Sequence, residues 1–113
     1  VGKWIQIVNS DAFTTTYYDL IIASDSYSVT QVTRILDTGV TSSSILEKGT
    51  VSESNFSELI MTKTHERDSI TFELLQIPTQ YQESRTVVWS RVGNTLTLVD
   101  AINEYTNGEF TED

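Results

Sequence analysis

Apolar and polar residues alternate with a period of two along most of this chain, and β-branched residues are frequent in the alternating segments. Such alternation places apolar side chains on one face of a β-strand. No window carries the i, i+3, i+4, i+7 apolar spacing of a long amphipathic helix. The sequence therefore predicts a nearly all-β chain. The predicted strands cover residues 2–8, 17–23, 27–36, 45–52, 56–66, 70–77, 85–92 and 95–99, with a short last strand over 109–113.

Short polar segments separate these strands. Gly93 and Asn94 predict a tight hairpin turn and a structural role, because both residues tolerate the backbone angles that such a turn needs. Side chains of residues 24–26 can bond to nearby backbone groups and predict a second turn. Residues 37–44 are predicted as a loop, and residues 100–108 as a polar connection with room for one helical turn.

The number and spacing of the strands narrow the architecture. Eight or nine short strands with a turn every 8 to 12 residues are typical of an antiparallel sandwich or barrel. A meander of hairpins has two exposed edges unless its first and last strands meet. We therefore predict one domain over residues 1–113, an antiparallel up-and-down β-barrel of about eight strands.

The charge balance argues against two classes of partner. Asp and Glu number 16 against 7 Lys and Arg, so the formal net charge is −9. Phosphate backbones and anionic membranes would be repelled by this charge, so we expect no nucleic acid. Unbroken apolar stretches reach only about four residues, where a membrane-spanning helix needs about 20. We therefore expect no transmembrane helix.

Cysteine is absent, which excludes a disulfide framework, a thiolate nucleophile and a sulfur metal site. Ser and Thr together number 30, and lysines are few, a composition that suits an exported protein. The chain begins at Val1 without a charged and apolar leader, which is compatible with a protein whose export signal has been removed.

Four segments, in order along almost the whole chain, carry a resemblance to a known family. They are Gly2-Lys3-Trp4, residues 20–29 (LIIASDSYSV), residues 48–51 (KGTV) and residues 88–98 (VWSRVGNTLTL). Their order and spacing are similar to those of the small bacterial lipocalin-like domains of the calycin superfamily. The resemblance implies an up-and-down barrel that holds a small apolar molecule. It also implies an extracytoplasmic location, secreted, periplasmic or lipid-anchored in a bacterium.

The resemblance also implies a role for Trp4. In this family the Trp of the Gly-x-Trp element packs across the closed end of the barrel, so Trp4 is expected to be structural. Larger lipocalins place an Arg from a late strand over that Trp. No Arg follows Arg91 in this chain, and Arg91 adjoins the turn at Gly93, so the resemblance assigns no such arginine.

Alternation selects the side chains that line the predicted barrel. From these we predict ligand contacts by Tyr18, Tyr27, Met61, Phe72 and Trp89. The same residues could instead fill a core. Polar residues at positions 31, 33 and 91 share the inward parity, so they either belong to a pocket or turn outward at a bulge. The full inward set is Tyr18, Leu20, Ile22, Tyr27, Val29, Leu59, Met61, Phe72, Leu74, Val87, Trp89, Leu96 and Leu98.

No motif indicates catalysis. His65 is the only histidine, and it lies in a charged run over residues 63–68 at a predicted hairpin tip, where partners do not converge. The chain has no Gly-x-Ser-x-Gly elbow and no Asp-x-Asp-x-Asp-Gly loop. The sequence therefore predicts a protein that is not an enzyme and that uses no cofactor and no metal.

Two functions remain open at this point. The first is the binding of a small apolar or amphipathic molecule in the barrel mouth, which calls for an open apolar cavity of about 300 Å³ or more. The second is a filled β-barrel that acts as an acidic protein-interaction module, because a net charge of −9 would attract basic partners.

Overall fold

A computed structural model describes residues 2–113, and Val1 lies outside the described residues. Nine strands and two short 3-10 turns make up the regular structure of this part. No helix in it is long and apolar enough to cross a membrane. The strands are β1 (Gly2–Ser10), β2 (Thr14–Ile22), β3 (Ser26–Ile35), β4 (Thr41–Asn55), β5 (Glu58–Arg67), β6 (Leu74–Gln76), β7 (Ser84–Val92), β8 (Thr95–Val99) and β9 (Gly108–Glu112), with 3-10 turns at Thr79–Tyr81 and Glu104–Thr106.

The strands form one antiparallel sheet that closes into a ring. Its order is β4-β3-β2-β1-β9-β8-β7-β5-β6, and β4 also pairs with β5. The first and last strands meet where Trp4 pairs with Glu112 and Ile5 with Thr111. Eight strands complete the ring, and β6 pairs with β5 alone. The predicted all-β antiparallel architecture is confirmed, including the contact between the first and last strands.

The predicted loop over 37–44 and the predicted strand over 70–77 are each confirmed only in part. Residues 41–44, predicted as loop, begin β4, because each of them pairs with a residue of β3. The strand predicted over 70–77 shrinks to β6, since Asp68 Oδ1 accepts hydrogen bonds from the backbone N–H of Ile70 and Thr71 and bends the chain. Phe72 lies at the end of this turn with a φ of 61° and a relative exposure of 64%. The prediction that Phe72 faces inward is therefore wrong.

Alternation predicted most of the core correctly. Nine of the thirteen predicted inward residues are buried, while Tyr18, Trp89 and Leu74 are partly buried. Buried residues absent from the inward list include Leu46, Val51 and Phe110. The confirmed set is Leu20, Ile22, Tyr27, Val29, Leu59, Met61, Val87, Leu96 and Leu98.

A bulge in β4 explains why Leu46 escaped the pattern. The register passes from Val29 opposite Glu47 to Thr30 opposite Ile45, so Leu46 has no partner in β3. Leu46 and Glu47 are consequently both buried although they are adjacent. The bulge lies in β4 and leaves β3 in register with β2. Gln31 and Thr33 are therefore not turned outward by a bulge in their own strand, and both are half-buried.

The ring has two different ends. The Trp4 end carries the turns after β2, β4 and β7, together with the start of β1 and the end of β9. The opposite end carries the turns after β1 and β3, residues 68–73, and the connection 100–107 between β8 and β9. Strands diverge toward the opposite end, because β4 pairs with β5 only from Glu47 onward and β1 pairs with β9 only at Trp4 and Ile5.

Candidate ligand-binding site

A mostly apolar pocket of about 220 Å³ opens at the Trp4 end. Residues from six strands of the ring and from the β2–β3 turn line it, which places it inside the ring at this end. Its volume is smaller than the 300 Å³ expected from the sequence. The lining residues are Trp4, Ile22, Ala23, Ser24, Val51, Glu53, Leu59, Trp89, Arg91, Leu96 and Leu98.

Arg91 fixes one side of this pocket by three interactions. Its guanidinium carbon lies 4.9 Å from the centre of the Trp4 ring, within the range of a cation–π interaction. Nη2 donates to Glu112 Oε2 at 2.5 Å, and Nε donates to the carbonyl of Gly93 at 3.0 Å. Arg91 therefore joins β1, β9 and the β7–β8 turn. The sequence did not assign this contact, because it links residues 87 positions apart.

The two turn residues occupy the places that the sequence predicted. Gly93 has a φ of +58°, which L-residues with a side chain rarely adopt. The carbonyl of Asn94 accepts a hydrogen bond from the backbone N–H of Glu112 at 2.8 Å. The hairpin turn thus also anchors the last strand.

Trp89 is the second tryptophan of the pocket. It is half-buried on β7, opposite Leu98 of β8. Its indole Nε1 is buried and has no hydrogen-bond partner in the part of the chain that the structure describes. Buried N–H groups are nearly always paired, so this donor is an unusual feature of the site.

The other predicted ligand residues lie elsewhere. Tyr27 and Met61 belong to the buried core and do not line the pocket. Tyr18 packs edge-to-face on Tyr105 at the opposite end, with ring centres 5.1 Å apart. Phe72 lies outside the core, and the guanidinium carbon of Arg67 is 5.2 Å from the centre of its ring. Trp89 alone among the five lines the pocket.

A buried polar cluster holds the connection 100–107 against the wall at the opposite end. Glu47, only 1% exposed, accepts hydrogen bonds from the Tyr27 hydroxyl at 2.6 Å and from Asn103 Nδ2 at 2.7 and 2.9 Å. Burial and the neighbouring Glu47 carboxylate raise the pKa of Tyr27, so this hydroxyl stays protonated and remains a donor. Glu47 therefore ties β4 to the connection.

A second part of the cluster ties the connection to β7. Arg85 Nε donates to Asp100 Oδ2 at 2.7 Å, and Arg85 Nη2 donates to Thr106 Oγ1 at 3.0 Å. Thr106 Oγ1 in turn donates to Asp100 Oδ2 at 2.6 Å. Burial pushes the pKa of Asp100 upward, but hydrogen bonds from Thr106, Arg85 and the Ile102 N–H outweigh it, so the pKa is lowered. Asp100 therefore stays ionised and paired.

Other grooves at the opposite end are more polar. One of about 330 Å³ is lined in part by Lys63, Glu66 and Arg85, and one of about 590 Å³ by Glu66, Arg67 and Asp68. Charged and polar side chains make up more than half of each lining. The pocket at the Trp4 end is therefore the better site for an apolar molecule.

The charged run around His65 lies on a paired strand. His65 lies within β5, paired with Lys48 and Gln76, so the predicted hairpin tip is wrong. Its Nδ1 is 2.9 Å from Thr64 Oγ1. Across residues 2–113, no group of three or more His, Asp or Glu side chains is placed to hold a metal ion.

Comparisons with protein-family models, with curated proteins and with solved structures found no match to this chain.

Proposed function

We propose that this protein binds a small apolar or amphipathic molecule in the pocket at the Trp4 end and is not an enzyme. The observation that carries the proposal is the apolar lining by Trp4, Trp89 and three leucines at the Trp4 end of the ring. The family resemblance predicts that Trp4 closes this end, so the proposed site differs from the predicted barrel mouth. Burial of apolar surface contributes about 25 cal/mol per Å². A pocket of 220 Å³ is below the usual range of about 300–1,000 Å³, so the ligand is small.

The unpaired indole N–H of Trp89 supports an amphipathic ligand. Trp89 Nε1 is buried, so a ligand hydroxyl or carbonyl oxygen that displaces the groups covering it would give this donor the acceptor it lacks. The position of Arg91 over Trp4 supports a lipocalin-like assignment, because larger lipocalins place an Arg over the corresponding Trp. We propose on the same grounds an extracytoplasmic location in a bacterium, in keeping with the abundance of Ser and Thr.

Intrinsic fluorescence offers a direct test, because Trp4 and Trp89 are the only tryptophans and both line the pocket. Titration with octanol, as a small amphipathic probe, is expected to give a saturable change in emission. Ala23→Phe fills the rim of the pocket and should weaken binding at least about ten-fold. Ala101→Phe, an exposed substitution at the opposite end, should bind as the parent does.

A further variant tests the polar contact. Trp89→Phe keeps an aromatic ring but removes the N–H, so octanol binding should weaken about five-fold, equivalent to about 1 kcal/mol for one hydrogen bond. Decane binding, by contrast, should not depend on this N–H. Absence of saturable binding, or equal loss in Ala23→Phe and Ala101→Phe, would contradict the proposal.

The second candidate is an acidic protein-interaction module, and the small volume of the pocket together with the filled core favours it. Two of the 16 acidic side chains, Glu47 and Asp100, are buried, which leaves most of the negative charge available to a basic partner. Binding to a lysine-rich peptide should then fall steeply as salt increases. Binding that is insensitive to ionic strength would argue against this candidate.

A further inference from the structure

The amino-terminal part of β4 has an unpaired edge. Residues 41–45 pair with β3 on one side, but the pairing of β4 with β5 begins only at Glu47. Within residues 2–113, no strand pairs with the other side of this segment. Thr41, Ser43 and Ile45 are exposed there. A free strand edge presents N–H and C=O groups that can pair with another chain.

The direction of the backbone groups follows from the β3–β4 pairing. The N–H of Ile35 donates to the carbonyl of Val40, and bonded pairs then alternate along an antiparallel ladder. Residues 42 and 44 therefore direct their N–H and C=O groups toward β3. Residues 41, 43 and 45 direct theirs toward the free side.

The chemistry of this segment favours a second copy as the partner. Residues 38–46 carry no charge, although the whole chain has a net charge of −9. Val40 and Ile45, exposed at 57% and 39%, add apolar surface beside the edge. The segment itself therefore adds no charge repulsion between two copies. The charge that contacts it is Arg67, whose Nη1 donates to Ser44 Oγ at 3.1 Å, and this contact leaves the backbone groups of residues 41, 43 and 45 unpaired.

The other free strand edges are less suitable for pairing with a second copy. β1 is unpaired on its β9 side beyond Ile5, but a bulge at Val8 interrupts it, and Gln6 Nε2 donates to the carbonyl of Glu109 at 3.3 Å. Bulges and covering side chains are devices that protect a strand edge. β6 has only three residues and follows the charged Glu73.

We propose that the edge formed by residues 41–45 pairs with the same edge of a second copy, antiparallel and about a two-fold axis. Such an interface uses the same residues on both partners. With the axis at Ser43, Ser43 lies opposite Ser43 of the second copy and Thr41 lies opposite Ile45. This register joins the three residues whose backbone groups face the free side. Pairing over five residues buries less than the area of about 1,200 Å² typical of stable complexes, so the dimer is weak.

Sedimentation velocity of the full chain, from micromolar to millimolar concentration, tests the proposal. The parent is expected to shift reversibly from monomer to dimer. Ser43→Lys places two like charges opposite each other and should weaken association at least ten-fold. Thr50→Lys is the matched control, because Thr50 is exposed on the same strand but paired with Ser26 and Thr62 on its two sides. It should associate as the parent does.

The register has its own test. An equimolar mixture of Ser43→Lys and Ser43→Glu should regain association, since the opposite charges then face each other. A parent that stays monomeric at millimolar concentration would overturn the proposal. So would a Ser43→Lys variant that dimerises like Thr50→Lys, or a mixture that stays monomeric.

Discussion

Replacing Asp100 by Asn isolates the contribution of the buried ion pair at the opposite end of the ring. The Asp100 side chain is 1% exposed and its carboxylate accepts four hydrogen bonds, two of them from Arg85 and Thr106. Removal of one partner of a buried pair costs about 3–5 kcal/mol, because the other charge remains buried without compensation. Asn retains an oxygen for the two backbone donors, so we expect the lower value, about 3 kcal/mol.

Urea unfolding followed by circular dichroism measures this cost, and a thermal melt should show a midpoint roughly 12 °C lower, at about 4 °C per kcal/mol. Asp37→Asn makes the same chemical change at an exposed turn and should alter stability by less than about 0.5 kcal/mol.

The pH dependence of the free energy of unfolding gives a second test of the Asp100 contribution. The pKa of Asp100 is lowered from its ordinary value of 3.8 in the folded protein. Its stabilising contribution is therefore complete above that value and is lost as the pH falls through the lower pKa of the folded state. The stability gap between the parent and Asp100→Asn should narrow as the pH falls from about 5 through 3.8 and below. A gap that stays constant over this range, or a cost no larger than that of Asp37→Asn, would refute the reasoning.

Three further substitutions test the packing and the polar contacts. Gly49→Ala should lower the free energy of unfolding by more than about 3 kcal/mol in a urea titration. The reason is that a Cβ at Gly49 would lie 2.0 Å from a β5 carbonyl oxygen and 2.5 Å from the Tyr27 ring. Near-parental stability would contradict this packing. Tyr27→Phe removes the hydroxyl donor to Glu47 and should lower the free energy of unfolding by about 1.5–3 kcal/mol in the same titration. No change would mean that burial of the Glu47 carboxylate does not require this hydrogen bond. Arg91→Gln removes the cation over Trp4 and should cost about 1 kcal/mol and shift tryptophan emission, whereas unchanged emission would argue against the contact.

Local signals explain what the sequence predicted well. The β7–β8 hairpin depends on Gly93 and Asn94, which lie between its strands, and β8 begins and ends where predicted. Alternation likewise identified the buried members of β2 and β5, and Tyr27 and Val29 of β3, since a period of two follows directly from the geometry of a strand. Val32, on the opposite parity of β3, is also buried and was not predicted.

Features that depend on distant residues could not be predicted in this way. The bulge that buries both Leu46 and Glu47 breaks the alternation, and a period-two pattern contains no signal for an extra residue. Glu47 receives two hydrogen bonds from Asn103, 56 residues away, and one from Tyr27, 20 residues away, so no local pattern marks this carboxylate as buried. Phe72 fits a strand pattern, but the Asp68 turn formed instead because a carboxylate can accept from two nearby N–H groups.

The most direct test of the binding proposal is a set of intermolecular NOEs between octanol and the isotope-labelled protein. Contacts are expected from the alkyl chain to the indole protons of Trp4 and Trp89 and to the methyl groups of Leu98. Contacts confined to exposed apolar side chains at the opposite end, such as Phe13 and Ile70, would contradict it.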